Sequence, residues 1–357
     1  MKFSLFTEKT PPLIGMDISS TSIKMVELGS DGRGGFQLEG YSISPLAKDA
    51  VTDGNVGDLD KVADAIKLGW KLLGSREKRV ALALPSSAVI SKKVIMAADL
   101  REEDMEVQVE AEANQYIPFP LDEVNIDFQV IGPASGSPDE VEVLIAAARK
   151  EKIEDRVVAA ESAGLDVLVM DVESYATEAA YTLVAGQLPN SGREQTVMIV
   201  DIGASMMHIN VLHDNKPVYA REQSFGGDQL TQEIQRRFGL SLEEAEIAKR
   251  KGGLPESYDI EVLQPFVQLL AMEIARALQL FTGSTQYNRV DHIVLAGGCA
   301  AIPEVDTAVQ ERTQVHTVVA NPFHSMRVSP KVRQQQATLD APALLIACGL
   351  AMRGIEI

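Results

Sequence analysis

Asp17 and Asp201 each end an apolar run, IGMD and MIVD, and each is followed by Ile and three small residues. Those residues are Ser19, Ser20 and Thr21 in one case and Gly203, Ala204 and Ser205 in the other. A bare carboxylate on an apolar strand is costly unless it is solvated, paired or beside a cation. A tight turn of small residues exposes backbone N–H groups that bind phosphate oxygens, and an aspartate at its start can hold the water shell of Mg2+. Either copy alone also reads as an ordinary strand–turn–strand whose Asp caps its own turn. With Asp17 laid on Asp201, however, IGMDISSTSIKMVEL and MIVDIGASMMHINVL agree through both strands, 184 positions apart. Two facing copies would clamp a nucleotide triphosphate and its metal. A repeat of half the chain points to two related α/β halves and not to a solenoid.

Other segments offer weaker signals. HIVLAGGCAAIPEV is an apolar strand running into Gly297 and Gly298, where backbone can approach a flat ligand without a Cβ in the way. FGGDQLTQEIQRRFG places Gly226 and Gly227 before a helix that Asp228 is expected to cap. Glu246 and Lys249 lie one helical turn apart, a pattern shared with solvated ion pairs. No G-x-x-x-x-G-K-[ST] loop occurs, and GSDGRGGF does not complete G-x-G-x-x-G. His208 and His213, five apart on a strand, face opposite sides and make a poor metal pair, while Met206 and Met207 read as packing.

Composition narrows the classes. The 357 residues carry 33 Lys and Arg against 51 Asp and Glu, a net charge of −18. The chain lacks the concentrated cationic footprint that nucleic acid requires, although one local phosphate ligand remains open. With 45% hydrophobic residues there is material for sizeable cores, and the length suggests two domains or one large α/β unit. Cys299 and Cys348 sit in apolar surroundings, so neither a disulfide framework nor a cysteine-rich metal site is available, as in a reducing cytoplasm. MKFSLFTEKTPP has too short an apolar run for a secretory signal. The longest apolar run, 341–352, falls short of the roughly 18 residues a membrane span needs and predicts a buried helix.

Periodicity supplies the elements that must position the motifs. Residues 13–18, 23–28 and 36–43 read as three strands in hairpin sequence, Leu59–Leu73 as an amphipathic helix and RVALALP as a buried strand ending at Pro85. A segment of different texture follows: the strand AVISKKVIM, the acidic helix LREEDMEVQVEAEANQY stopped by IPFP, a hairpin of EVNIDFQVIG and EVEVLIAAAR, and a helix over 150–163. The α/β pattern then resumes with LDVLVMDVE and SYATEAAYTLV. The expected organisation is a first lobe begun by 1–85, an inserted small subdomain 86–165, and a return to the first lobe at 166–195. A second lobe follows, with its core at 196–225 and 283–340 and an upper subdomain at 226–282; 341–357 returns to the first lobe.

The order of these parts resembles the actin-like ATPase superfamily shared by actin, the Hsp70 nucleotide domain, MreB and FtsA. MDISSTSIK looks like its first phosphate motif, LVMDVESYATEAA its first connecting helix, VDIGASMM its second phosphate motif, LAGGCAAIP its adenosine motif and DAPALLIACGLAMRG its second connecting helix. Within it, GMDISSTSIKMVEL, EAEANQYIPFPLDEVNIDFQVIG and FGGDQLTQEIQRRFGLSLEEAEIAKRKGG are most similar to the PilM family of type IV pilus assembly. The position of the insert also resembles the small subdomain of FtsA and PilM. The fold class implied is α/β, two related lobes around a nucleotide cleft with an FtsA-like insert.

This resemblance implies ATP and Mg2+ in that cleft. Asp17 and Asp201 would hold the metal through water. Ser19, Ser20, Thr21, Ser22 and Lys24 would meet the phosphates from one side and Gly203, Ala204 and Ser205 from the other. Gly226, Gly227, Glu246, Lys249, Gly297 and Gly298 complete the nucleotide side, and Glu173 falls where several relatives carry a water-orienting acid. Hydrolysing relatives usually have Gly-Gly-Gly-Thr after the second Asp, whereas GASMM puts Cβ atoms at Ala204 and Ser205 and no hydroxyl at Met206. Small misplacement of an attacking water can cost about 100-fold, so ATP is expected to act as a conformational ligand with weak or absent turnover. The family also implies binding of the cytoplasmic N-terminal tail of a PilN-type inner-membrane protein, in a groove between the first lobe and the insert that begins near Pro85 to Lys93. Other pilus assembly components are further candidate partners, twitching motility is the process implied, and the implied location is cytoplasmic, peripheral at the inner membrane through the partner. A filament-forming FtsA- or MreB-like cytoskeletal ATPase is the alternative. An FtsA-like division role lacks its expected C-terminal amphipathic helix, since the chain ends AMRGIEI, and a small-molecule kinase of the same fold lacks a strong catalytic base beyond Glu173.

Overall fold

The computed structural model describes residues 12–134 and 136–354; the signal reading of 1–11 and the C-terminal reading of 355–357 lie outside them. The chain opens with the antiparallel strands β1 (Ile14–Ile18), β2 (Ser22–Ser30) and β3 (Phe36–Pro45). A short ladder of β4 (Val51–Thr52) and β5 (Asn55–Val56) leads to α1 (Leu59–Leu73). Asp58 caps α1 by accepting from the Lys61 amide, and left-handed Gly74 ends it. The buried strand β6 (Arg79–Leu84) stops before Pro85, which lacks the N–H a ladder needs.

The inserted layer comprises β7 (Val89–Ala97), α2 (Glu102–Tyr116), β8 (Val124–Pro133) and β9 (Glu140–Arg149). Its sheet runs β7-β9-β8, with Met105 and Val109 of α2 packed on Val143 and Ile145. The next helix, α3 (Lys150–Ser162), buries Ala159 and Ala160 in the same cluster as Met16, Met25 and Ile66. The stretch 150–165, grouped with the insert by sequence texture, therefore packs in the first lobe. Val89 lies opposite Ala148, so the insert is pinched at its neck.

After β10 (Asp166–Val172), Glu173 begins α4 (Glu173–Val184) instead of ending the strand. The second lobe then adds β11 (Thr196–Ile202), β12 (Met207–His213), β13 (Lys216–Gln223), α5 (Gly227–Phe238), α6 (Leu242–Lys251) and α7 (Gln264–Ser284). It continues through β14 (His292–Ala296), α8 (Val305–Thr313) and β15 (His316–Val319), after which the chain passes back through β16 (Arg327–Val328), α9 (Gln334–Asp340) and α10 (Leu345–Met352).

The two large sheets run β10-β6-β1-β2-β3-β16 and β13-β12-β11-β14-β15. β16 pairs with Gln37 and Leu38, so the chain touches the first sheet again well before 341. One buried cluster spans both sheets: Val26 and Leu38 from the first, Ile199 and Val294 from the second, with Tyr181 of α4 and Cys348 of α10 between them. Burying apolar area contributes about 25 cal/mol per Å2, so this shared core fixes the lobes on one another at their base. Among the described residues no helix is long and apolar enough to cross a membrane.

Candidate functional site

The two hairpins carry the same local construction. In β1 and β2, Asp17 lies opposite Lys24 and Ile18 opposite Ile23; in β11 and β12, Asp201 lies opposite His208 and Ile202 opposite Met207. Each pair is joined by a four-residue turn closed by its first amide, Ser19 N donating to Ser22 O at 3.1 Å and Gly203 N to Met206 O at 2.9 Å. Among the described residues the amides of Ser20, Thr21, Ala204 and Ser205 donate to no protein group, and the hydroxyls of Ser20, Thr21 and Ser205 are likewise unpaired. Ser19 is different: its hydroxyl donates to Ser22 O at 2.9 Å and stiffens the first turn.

Asp17 is buried and accepts from Lys24 Nζ at 2.8 Å. Burial alone would lower the lysine pKa, but Asp17 and Asp201 outweigh it and hold Lys24 above its ordinary value. Both hairpin aspartates therefore act on one ammonium. Burial raises Asp201, with Lys24 and His208 opposing. Glu173, at the first position of α4, is pushed up to about 7 by burial and by Asp17, with His208 and Arg156 pulling the other way. For His208, burial is overcome by Glu222, Glu173 and Asp201, which raise it to about 9. Near neutral pH the site thus holds two cations at equivalent hairpin positions and one carboxyl able to take or release a proton.

Sequence reasoning missed three contributors. Arg156 of α3 is 2% exposed and donates to Ile18 O at 3.5 Å and Gly54 O at 2.8 Å, tying the start of the first turn to the β4–β5 ladder. His208 Nδ1 lies 3.4 Å from Glu222 Oε1 on β13. The 184-residue offset already sets Lys24 on His208, but as Lys against His the pair does not register as a match.

The glycine pairs differ in use. α5 docks its N-terminus on the second turn: Gly227 N donates to Gly203 O at 3.0 Å and Asp228 N to Ala204 O at 2.8 Å. A Cβ at Gly226 would stand 2.3 Å from Ala204 O, so this glycine permits close packing of backbone on backbone. Asp228 does not cap the helix; the N-cap is Gly226, and the turn's carbonyls take the first amides. Gly297 has φ +84 and lies against Ile202 O, whereas a Cβ at Gly298 would meet nothing within 4 Å. Lys249 Nζ bonds to Glu246 Oε1 at 2.5 Å and Thr231 Oγ1 at 2.6 Å and lies 3.4 Å from Gly227 O. The pair expected from helical spacing is therefore brought to Gly227, and Glu246 Oε2 is buried with no hydrogen-bond partner among the described residues, its neighbour being Arg250 Nε at 3.5 Å. The dismissed His213 bonds to Thr196 Oγ1 and packs at a 41° tilt against Tyr287, away from His208. Cavities of about 660 Å3 beside Tyr41 and Arg76 and 520 Å3 beside Phe225 and Arg276 lie apart from Asp17 and Asp201.

The arrangement can bind an anion on free amides between two cations, and can hold a hydrated divalent cation on two carboxylates through its water. Comparison with known proteins agrees with such a fold. The family described as type IV pilus assembly protein PilM matches residues 15–355. A solved PilM-PilN type IV pilus biogenesis complex is 27% identical, with TM-score 0.80 over 98% of this chain and 100% of that one. Ta0583, an archaeal actin homolog, shares the fold at 12% identity, with TM-score 0.51 over 96% and 99%. The cell division protein FtsA of Bacillus subtilis (strain 168) is 22% identical over 358 residues, covering 87% of this chain and 78% of FtsA. The fold is that of the actin-like ATPases.

Proposed function

The chain belongs to the PilM family of type IV pilus assembly proteins, and from that premise we propose that it is an ATP-binding scaffold of the inner-membrane assembly complex. Nucleotide serves as a conformational ligand, and the cytoplasmic N-terminal tail of a PilN-type membrane protein is the partner. The observation that carries the nucleotide reading is the paired turns, each with two unpartnered amides above a buried aspartate.

The residues suit Mg-ATP. Ser20, Thr21, Ala204 and Ser205 offer amides to phosphate oxygens, and Lys24 and His208 offset their charge. Asp17 and Asp201 would hold Mg2+ through water, which neutralises phosphate charge. Glu246 Oε2, which takes no hydrogen bond and lies 3.5 Å from Arg250 Nε, is an acceptor for a ribose or base donor, and the open space at Gly298 admits a flat ring. Glu173 can orient a water, but the Cβ atoms of Ala204 and Ser205 crowd the second turn, so turnover is slow or absent.

We assign the partner groove to the space beside β7 and β10, each an edge strand of its sheet. Ser91 Oγ of β7 bonds Tyr175 OH of α4 at 2.8 Å, tying the insert to the first lobe, and Ile95 of β7 and Leu168 of β10 are 63% and 57% exposed. An extended tail can pair with an exposed edge while alternate side chains enter pockets. The test is binding of a fluorescent peptide of the partner's N-terminal tail, before and after residues 89–149 are replaced by a short Gly-Ser link. Loss of binding in the folded deletion supports the reading; undiminished binding overturns the groove.

A further inference from the structure

Glu222 belongs to neither end of that scheme, yet it touches both. Its Oε1 accepts from the Ser87 amide at 3.2 Å, in the connector that leads from β6 of the first lobe into β7 of the insert. The same oxygen lies 3.4 Å from His208 Nδ1. The connector has a second tie to the site: Ser86 Oγ accepts at 3.3 Å from the amide of Ser174, the residue after Glu173. Four residues beyond Ser87, Ser91 of β7 bonds Tyr175 of α4, two residues after Glu173 and next to the proposed groove.

We propose that Glu222 is a positioning residue that couples occupancy of the nucleotide site to the geometry of the partner groove. The inference rests on the two-site reading above and adds the route between the sites. A phosphate dianion beside His208 competes with Glu222 for the imidazolium proton. As His208 turns toward phosphate, Glu222 Oε1 is left to the Ser87 amide alone, and the connector that aims β7 shifts with it. Coupling between sites is reciprocal, so the partner tail must change nucleotide affinity by the same factor.

The experiment measures tail-peptide affinity with and without Mg-ATP in the wild type, Glu222→Ala and Glu222→Gln. Coupling of this kind is typically about 5- to 150-fold. About a tenfold ratio is expected for the wild type and a ratio near one for Glu222→Ala. Glu222→Gln keeps an oxygen for Ser87 and should recover part of the ratio, which a merely structural role would not do. A ratio unchanged in folded Glu222→Ala overturns the route. Wild type that binds both ligands with no ratio overturns the coupling while the two-site reading stands, and wild type that binds no Mg-ATP overturns both.

Discussion

His208 and Lys24 stand at equivalent places in the two hairpins, but only the histidine titrates in an accessible range. Its pKa is raised from the ordinary value near 6.5 to about 9, so the stabilisation is fully present below pH 6.5 and is lost as pH rises through 9. His208→Gln should therefore cost on the order of 2 kcal/mol at pH 6, after allowance for the 24% exposure of the side chain, and almost nothing at pH 9.5. Urea unfolding at both pH values measures this; a cost independent of pH would contradict the ion pair. The glycines make a second contrast. Gly226→Ala drives a Cβ into the Ala204 carbonyl and should destabilise by about 2–3 kcal/mol. Gly298→Ala meets open space, so its melting temperature should stay within about 1 °C while ATP affinity falls. Equal stability losses in calorimetry would show that both glycines serve packing. At this scale the sequence exposed Asp17 and Asp201 because their types repeat. It hid His208 because Lys and His do not match as letters although both supply a cation.

At the scale of elements, α3 is informative because texture and packing disagree. Its sequence continues the polar insert, but Ala159 and Ala160 face the core of the first lobe, and no periodicity says which neighbour a helix will meet. Arg156 was invisible for the same reason, since its partners Ile18 and Gly54 are carbonyls more than a hundred residues away. Arg156→Met preserves much of the volume and removes both donors, so stability should fall by about 3 kcal/mol; retention of wild-type stability in urea would contradict the role. The hairpins, α1 and the insert's sheet were legible because alternation and turn residues are local. The Asp228 cap failed because the groups that satisfy α5, Gly203 O and Ala204 O, come from another element.

At the scale of the molecule, the lobes are joined at their base by the shared core around α4 and α10 and meet above it through charges. That division suits a ligand-driven change of geometry, because packed cores resist deformation while a polar cleft responds to added charge. The 184-residue repeat made this architecture readable in outline, and the early crossing of β16 to the first sheet was not, since two residues carry no pattern. The central claim is that the twin turns form one Mg-ATP site. Isothermal titration of Mg-ATP into nucleotide-free protein tests it most directly, with Mg2+ omitted in a second run and Asp201→Asn in a third. The account predicts saturable binding at one site, weakened at least about tenfold by either change, a loss of roughly 1.4 kcal/mol or more. No saturable binding, or equal binding in all three runs, would contradict it.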